Sequence, residues 1–120
     1  MPKLMIVEDD ATMVSLLQTL LELDGFELMP ATHPDRVLES MRLARPDLVI
    51  MDVFLNSRDG LELLRQLRAS ADLGNTPVIM TSGMDVSDRA LDAGADGFML
   101  KPYSPADLIA MIREKLSKRQ

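Results

Sequence analysis

The sequence predicts an α/β fold: one open, doubly wound parallel sheet with helices on both faces, in a single domain over residues 1–120. Three observations predict it. Short apolar runs alternate strictly with longer stretches at helical spacing, five of each, and strict βα alternation builds a parallel sheet. The runs are continuous rather than alternating, as expected of strands buried on both faces. At 120 residues and 47% hydrophobic the chain supports a real core, but it is too short for an eight-stranded barrel.

The first run, Leu4 to Val7, stops at Glu8, Asp9 and Asp10. Val14, Leu17, Leu20 and Leu21 then recur at helical spacing until Asp24 and Gly25. Gly25 suits the residue after a helix because positive φ costs it little. Residues 27–31 read as a weak strand. Pro30 removes a ladder donor, which places this strand at a sheet edge. His33 and Pro34 open a second helix through about Ala44, and Pro46 stops it. Leu48 to Met51 is the next strand, ended by Asp52. A loop of Asn56, Ser57, Arg58, Asp59 and Gly60 leads into a helix marked by Leu61, Leu64 and Leu67. Asn75, Thr76 and Pro77 turn the chain into Val78 to Thr81, which Ser82 and Gly83 end. Val86, Ala90 and Ala93 form a short helical stripe stopped by Gly94. Phe98 to Leu100 is the last run, ended by Lys101 and Pro102. Ser104, Pro105 and Asp107 sign the last helix as N-cap, N1 and N3, with Asp107 reaching back to the cap. It runs to about Leu116, and its basic end (Lys115, Lys118, Arg119) suits the helix dipole.

Composition excludes several functions. Thirteen Lys and Arg against nineteen Asp and Glu give a net charge of −6, so no basic face is available for nucleic acid. With no Cys and one His, disulfide scaffolds, thiolate catalysis and multi-histidine metal sites are ruled out. No segment approaches the roughly 18 apolar residues of a membrane span. The acids by position 8 arrive too soon for a signal-peptide core. A cytoplasmic domain is expected.

In open α/β sheets the chemistry sits beyond the carboxyl ends of the strands. The residues there are Glu8 and Asp9, Asp52, Ser82 and Lys101. Taken singly, each is an ordinary turn or cap residue. Their force lies in all falling at the ends of four strands on one edge. Clustered carboxylates repel one another unless a cation intervenes. Oxygen ligands without Cys or His favour Mg²⁺, which keeps several waters and recruits a phosphate oxygen. A phosphoryl group would bridge the metal, the Lys101 ammonium and a Ser82 donor. Asp10 and Asp59–Gly60 read as cap and turn, His33 as a surface residue, and the ten Met as core filler.

Val7-Glu8-Asp9-Asp10, Asp52 with Asp59-Gly60 seven residues on, Met80-Thr81-Ser82-Gly83 and Lys101-Pro102-Tyr103 together resemble the receiver domain of two-component response regulators. The resemblance covers the whole chain. It implies a flavodoxin-like (βα)5 sheet of order 2-1-3-4-5. It implies that Asp52 accepts a phosphoryl group from a phosphohistidine on a sensor histidine kinase or phosphotransfer protein. Glu8, Asp9, Asp52 and the Phe54 carbonyl would place Mg²⁺, Ser82 and Lys101 would bind the phosphoryl group, and Phe98 would be the switch aromatic. It also implies a cis Lys101–Pro102 peptide, and it leaves open a phosphorylation-dependent homodimer. The chain departs from the family pattern in three places. Asn56 stands where Pro is usual, Ser82 replaces the commoner Thr, and the stretch from Ser82 to Lys101 is about one helical turn short.

Two rivals fail on particular residues. A haloacid-dehalogenase-type phosphatase needs an acid two residues after its Asp nucleophile, where this chain has Phe54. A flavodoxin-like FMN module must welcome a phosphate at its first loop, which Glu8, Asp9 and Asp10 would repel. A receiver reduced to a bare interaction module would lack some chemical residues, yet every position is filled.

Overall fold

Successive side chains of a strand point to opposite faces, so each continuous apolar run feeds two cores at once. In β1 (Lys3–Val7), Leu4 and Ile6 join one core while Met5 and Val7 join the other. β3 (Leu48–Asp52) divides Leu48 and Ile50 from Val49 and Met51 in the same way. β4 (Val78–Ser82) divides Ile79 from Val78 and Met80. The computed structural model describes residues 1–31, 34–56 and 58–118. His33, Ser57 and Arg119, which carried sequence expectations, lie outside the described residues.

Helices close both faces. α1 (Ala11–Leu23) buries Leu17 and Leu21, and α5 (Pro105–Ser117) buries Leu108 and Ile112, in the core that also holds Phe26. α2 (Val37–Ala44), α3 (Gly60–Ala69) and α4 (Ser87–Asp92) cover the other face, α3 most heavily through Leu61, Leu63, Leu64 and Leu67. With β2 (Glu27–Pro30) and β5 (Gly97–Leu100) the strands pair in parallel in the order β2-β1-β3-β4-β5. The expected fold and strand order are therefore found, and Pro30 lies on the edge strand as its missing N–H requires.

Several local expectations need correction. α2 starts at Val37 rather than at Pro34, which opens a 3₁₀ turn over Pro34–Arg36. Arg36 makes no side-chain cap, so the helix begins where its apolar stripe reaches the core, at fully buried Val37. Asp52 and Ser82 are the last residues of their strands rather than the first beyond them, because Asp52 pairs with Thr81 and Ser82 with Leu100. At α5 the Ser104 hydroxyl accepts the Asp107 N–H at 3.0 Å, whereas the Ser104 N–H makes no reciprocal bond to the Asp107 carboxylate. Five Met are core residues (Met5, Met41, Met51, Met80 and Met99), but Met1 and Met84 are exposed. Gly25 follows α1 at φ 94° as its sequence position foretold.

α4 is six residues long and buries only Ala90, with Ala93 buried just beyond it, and its N-cap Val86 offers no side-chain bond. A helix with so little apolar burial opens locally at low free energy. Amide exchange is expected to be faster over residues 88–93 than over 108–112 of α5. The reverse order would place the weakest helix elsewhere.

Candidate functional site

Register brings the polar residues together. Val7 lies opposite Met51, so Glu8 comes level with Asp52 on the neighbouring strand. Lys101 follows directly after Leu100, the partner of Ser82, and its backbone N–H donates to the Ser82 carbonyl at 2.7 Å. The Lys101–Pro102 peptide is cis, as expected. Gly60 sits hard beneath this edge. A Cβ there would lie 2.2 Å from the Asp52 carbonyl oxygen, so only glycine lets α3 start so close to the strand that ends at Asp52.

The centre is a three-group ionic cluster. The Lys101 ammonium donates to Glu8 Oε1 at 2.6 Å and to Asp52 Oδ2 at 3.1 Å. Asp52 is 8% exposed, and its other oxygen accepts the Phe54 N–H at 3.3 Å. Burial is the largest influence on the Asp52 carboxyl and pushes its pKa above the ordinary 3.8. The Glu8 charge adds to this, and the Lys101 bond opposes it without prevailing. Burial pulls Lys101 down, but its two carboxylate bonds prevail and hold the ammonium above the ordinary 10.5. Both shifts have one origin: two carboxylates share a single cation in a half-dry site. Tyr103, partly buried two residues after Lys101, is raised above 10.0, chiefly by burial.

The remaining expected residues lie at the same edge, with their side chains outside this cluster. Ser82 is fully buried, and its hydroxyl oxygen accepts the Met84 N–H at 3.0 Å. Asp9 is exposed and accepts the backbone N–H of Asn56. Among the described residues no three of the His, Asp and Glu side chains form a ready-made metal cage. Asp10 caps α1 by accepting from Thr12 N at 3.0 Å and Met13 N at 3.2 Å, and Asp59 caps α3 by accepting from Leu61 N at 2.9 Å. Those two acids are structural, as the sequence suggested. Phe98 is partly buried against the core under α3 and α4. Phe54 and Met84 flank the site and are 53% and 63% exposed.

A model of the response regulator receiver domain matches residues 4–113. The chain belongs to that family. Relatives and structures agree with the assignment. The DNA-binding response regulator MtrA of Mycobacterium tuberculosis is 33% identical over 97% of this chain and 51% of its own length. The chain thus spans about half the length of the curated relatives it matches. The receiver domain of Francisella response regulator 1452 superposes with a TM-score of 0.91 at 26% identity, covering 100% of both chains. The BeF3-activated N-terminal receiver domain of Klebsiella pneumoniae RstA gives 0.87 at 30% identity, covering 95% of this chain and 97% of that one.

Sequence reasoning missed two contributors to this receiver. The Asn56 N–H on Asp9 is a backbone donor, and the only signal for it was the departure from Pro at that position. Arg68 is a strut at the far edge of the sheet. It donates to the carbonyls of Gly94 (2.8 Å) and Thr76 (2.6 Å) and to Asp96 (2.7 Å). Asp96 in turn accepts the Val78 N–H, so this end of the sheet is bound up in structure. No described helix is long and apolar enough to cross a membrane.

Proposed function

We propose that this receiver is a phosphorylation-controlled switch in which Asp52 takes a phosphoryl group from a phosphohistidine on a sensor histidine kinase or phosphotransfer protein. The observation that carries the reading is the buried Asp52 carboxylate held by the Lys101 ammonium. An Asp52 oxygen bonds to phosphorus as the phosphorus–nitrogen bond breaks, and that electron pair returns to the imidazole. Lys101 can then leave the carboxylate for a phosphoryl oxygen, and the buried Ser82 hydroxyl can donate to another. Positioning and charge neutralisation are most of phosphoryl-transfer catalysis.

The donor set fits Mg²⁺. Two carboxylates pressed onto one ammonium have charge to spare, and Mg²⁺ uses one or two carboxylates with waters and a phosphate oxygen. Glu8, Asp9, Asp52 and the Phe54 carbonyl would hold it. When bound, the ion would neutralise charge on the entering phosphoryl group. Transfer places a dianion beside Ser82 and Lys101 and shifts the population between two arrangements, with Phe98 as the aromatic reporter. The DNA-binding name of MtrA supports a transcriptional output. Intact-mass spectrometry with acetyl phosphate tests the reading. One adduct is expected with Mg²⁺ and none after chelation, and adduct formation independent of the metal would overturn it.

Signal lifetime follows from the flanks. Hydrolysis needs a water in line with the acyl-phosphate bond, and neither Phe54 nor Met84 can orient one by hydrogen bonding. Slow loss of the phosphoryl group is expected. Phe54→Asn with Met84→Glu is expected to accelerate it several-fold. Wild-type decay within seconds, followed by phosphate release, would refute the blocking role.

A further inference from the structure

The Asn56 hydrogen bond spans two loops that need not touch. Its donor is a backbone N–H between β3 and α3, and its acceptor is Asp9 Oδ2 just after β1. The donor's loop is held on several sides. Phe54 and Asp59 bridge across it, and the Gly60 N–H bonds to the Val53 carbonyl at 2.8 Å. The Arg58 guanidinium ties it to Asp35 at 3.2 Å and to Gln66 at 3.1 Å. Asp10 beside the acceptor caps α1, but among the described residues the Asp9 carboxylate itself makes no other hydrogen bond. Asp9 is exposed, and a free carboxylate there would sample several rotamers.

A carboxylate offers about four lone-pair sites on two oxygens. One N–H on Oδ2 therefore fixes the orientation of the group and leaves Oδ1 whole for another partner. The same loop carries the Phe54 carbonyl, so the bond also fixes Asp9 relative to a second oxygen donor. We infer that Asn56 is a positioning residue whose backbone N–H preorganises Asp9 for a divalent cation, a role that proline at this place cannot fill because it has no N–H. The inference rests on the Mg²⁺ reading above. It assigns nothing to the Asn56 side chain, and that makes it testable by contrast.

Titration calorimetry with MgCl₂ alone, on wild type, Asn56→Ala and Asn56→Pro, provides the test. Asn56→Ala keeps the donor and is expected to bind within about two-fold of wild type, while Asn56→Pro is expected to lose about ten-fold, as for other groups that orient a metal ligand. Equal affinity in wild type and Asn56→Pro would overturn the inference and leave the metal reading intact. Equal losses in both variants would also overturn it, by moving the effect to the side chain. Wild type that binds no Mg²⁺ would remove the metal reading itself. Amide exchange in the metal-free protein is an independent readout, needed should Asn56→Pro fail to fold. The Asn56 amide is expected to be protected in wild type and Asn56→Ala and to lose protection in Asp9→Ala. Equal exchange in wild type and Asp9→Ala would end the proposal.

Discussion

Asp52→Asn is expected to abolish phosphoryl acceptance completely while raising the melting temperature of the metal-free protein. The two effects share one cause. In the proposed switch Asp52 is the nucleophile, and an amide in its place offers no carboxylate oxygen to phosphorus. Asp52 is also one of two carboxylates on a single ammonium, buried to 8% exposure. Burial first, and the Glu8 charge after it, raise its pKa from 3.8. A group with a raised folded pKa contributes stability at low pH and loses it as pH rises through the folded value. At neutral pH the ionised Asp52 therefore works against the fold. Asparagine keeps an oxygen for the Phe54 N–H and removes the charge, leaving Lys101 paired with Glu8. A gain on the order of 1 kcal/mol, about 4 °C, is expected. Thermal unfolding at pH 7.5 without metal checks it, and acetyl phosphate with Mg²⁺ checks the loss of function. An Asp52→Asn protein that still acquires one phosphoryl group would locate the acceptor elsewhere.

What the sequence displays of this site follows from how strands end. A continuous apolar run stops where the chain leaves the core, so Glu8, Asp52, Ser82 and Lys101 are visible as breaks in hydropathy. A parallel sheet aligns those breaks along one edge. The βα alternation and the edge position of Pro30 are legible for the same reason. Pairing register is not legible in a run with no polar face, which is why Asp52 and Ser82 prove to lie inside their strands. Nor is the start of α2, where Pro34 suggests a helix and the buried Val37 sets it. The anchoring of Asp9 by the loop after β3 is hidden for a further reason. It depends on a backbone N–H, and every non-proline residue carries one, so residue type at position 56 says only that a donor exists.

Lys101→Met is expected to be strongly destabilising. Glu8 and Asp52 side chains are 9% and 11% exposed, and the Lys101 side chain is 21% exposed. Removing the ammonium leaves two half-dry carboxylates facing each other with no counterion. Breaking a buried ion pair from one side costs about 3 kcal/mol or more, and for a chain of this length 3 kcal/mol lowers the melting temperature by about 10 °C. The loss is expected to shrink markedly in the Asp52→Asn background, where one of the two repelling charges is gone, so a double-mutant cycle reads the coupling directly. Acid is expected to restore stability as well. The Lys101 bond is the main influence holding the Asp52 pKa down. Without it the folded value rises further above 3.8, and the stability that protonation gives returns as pH falls through that higher value. Denaturant unfolding of both proteins from pH 8 down to pH 4 measures this. The variant should close part of its deficit as the pH falls. A deficit that stays constant over that range, with no coupling to Asp52→Asn, would mean that the ammonium does not neutralise this pair.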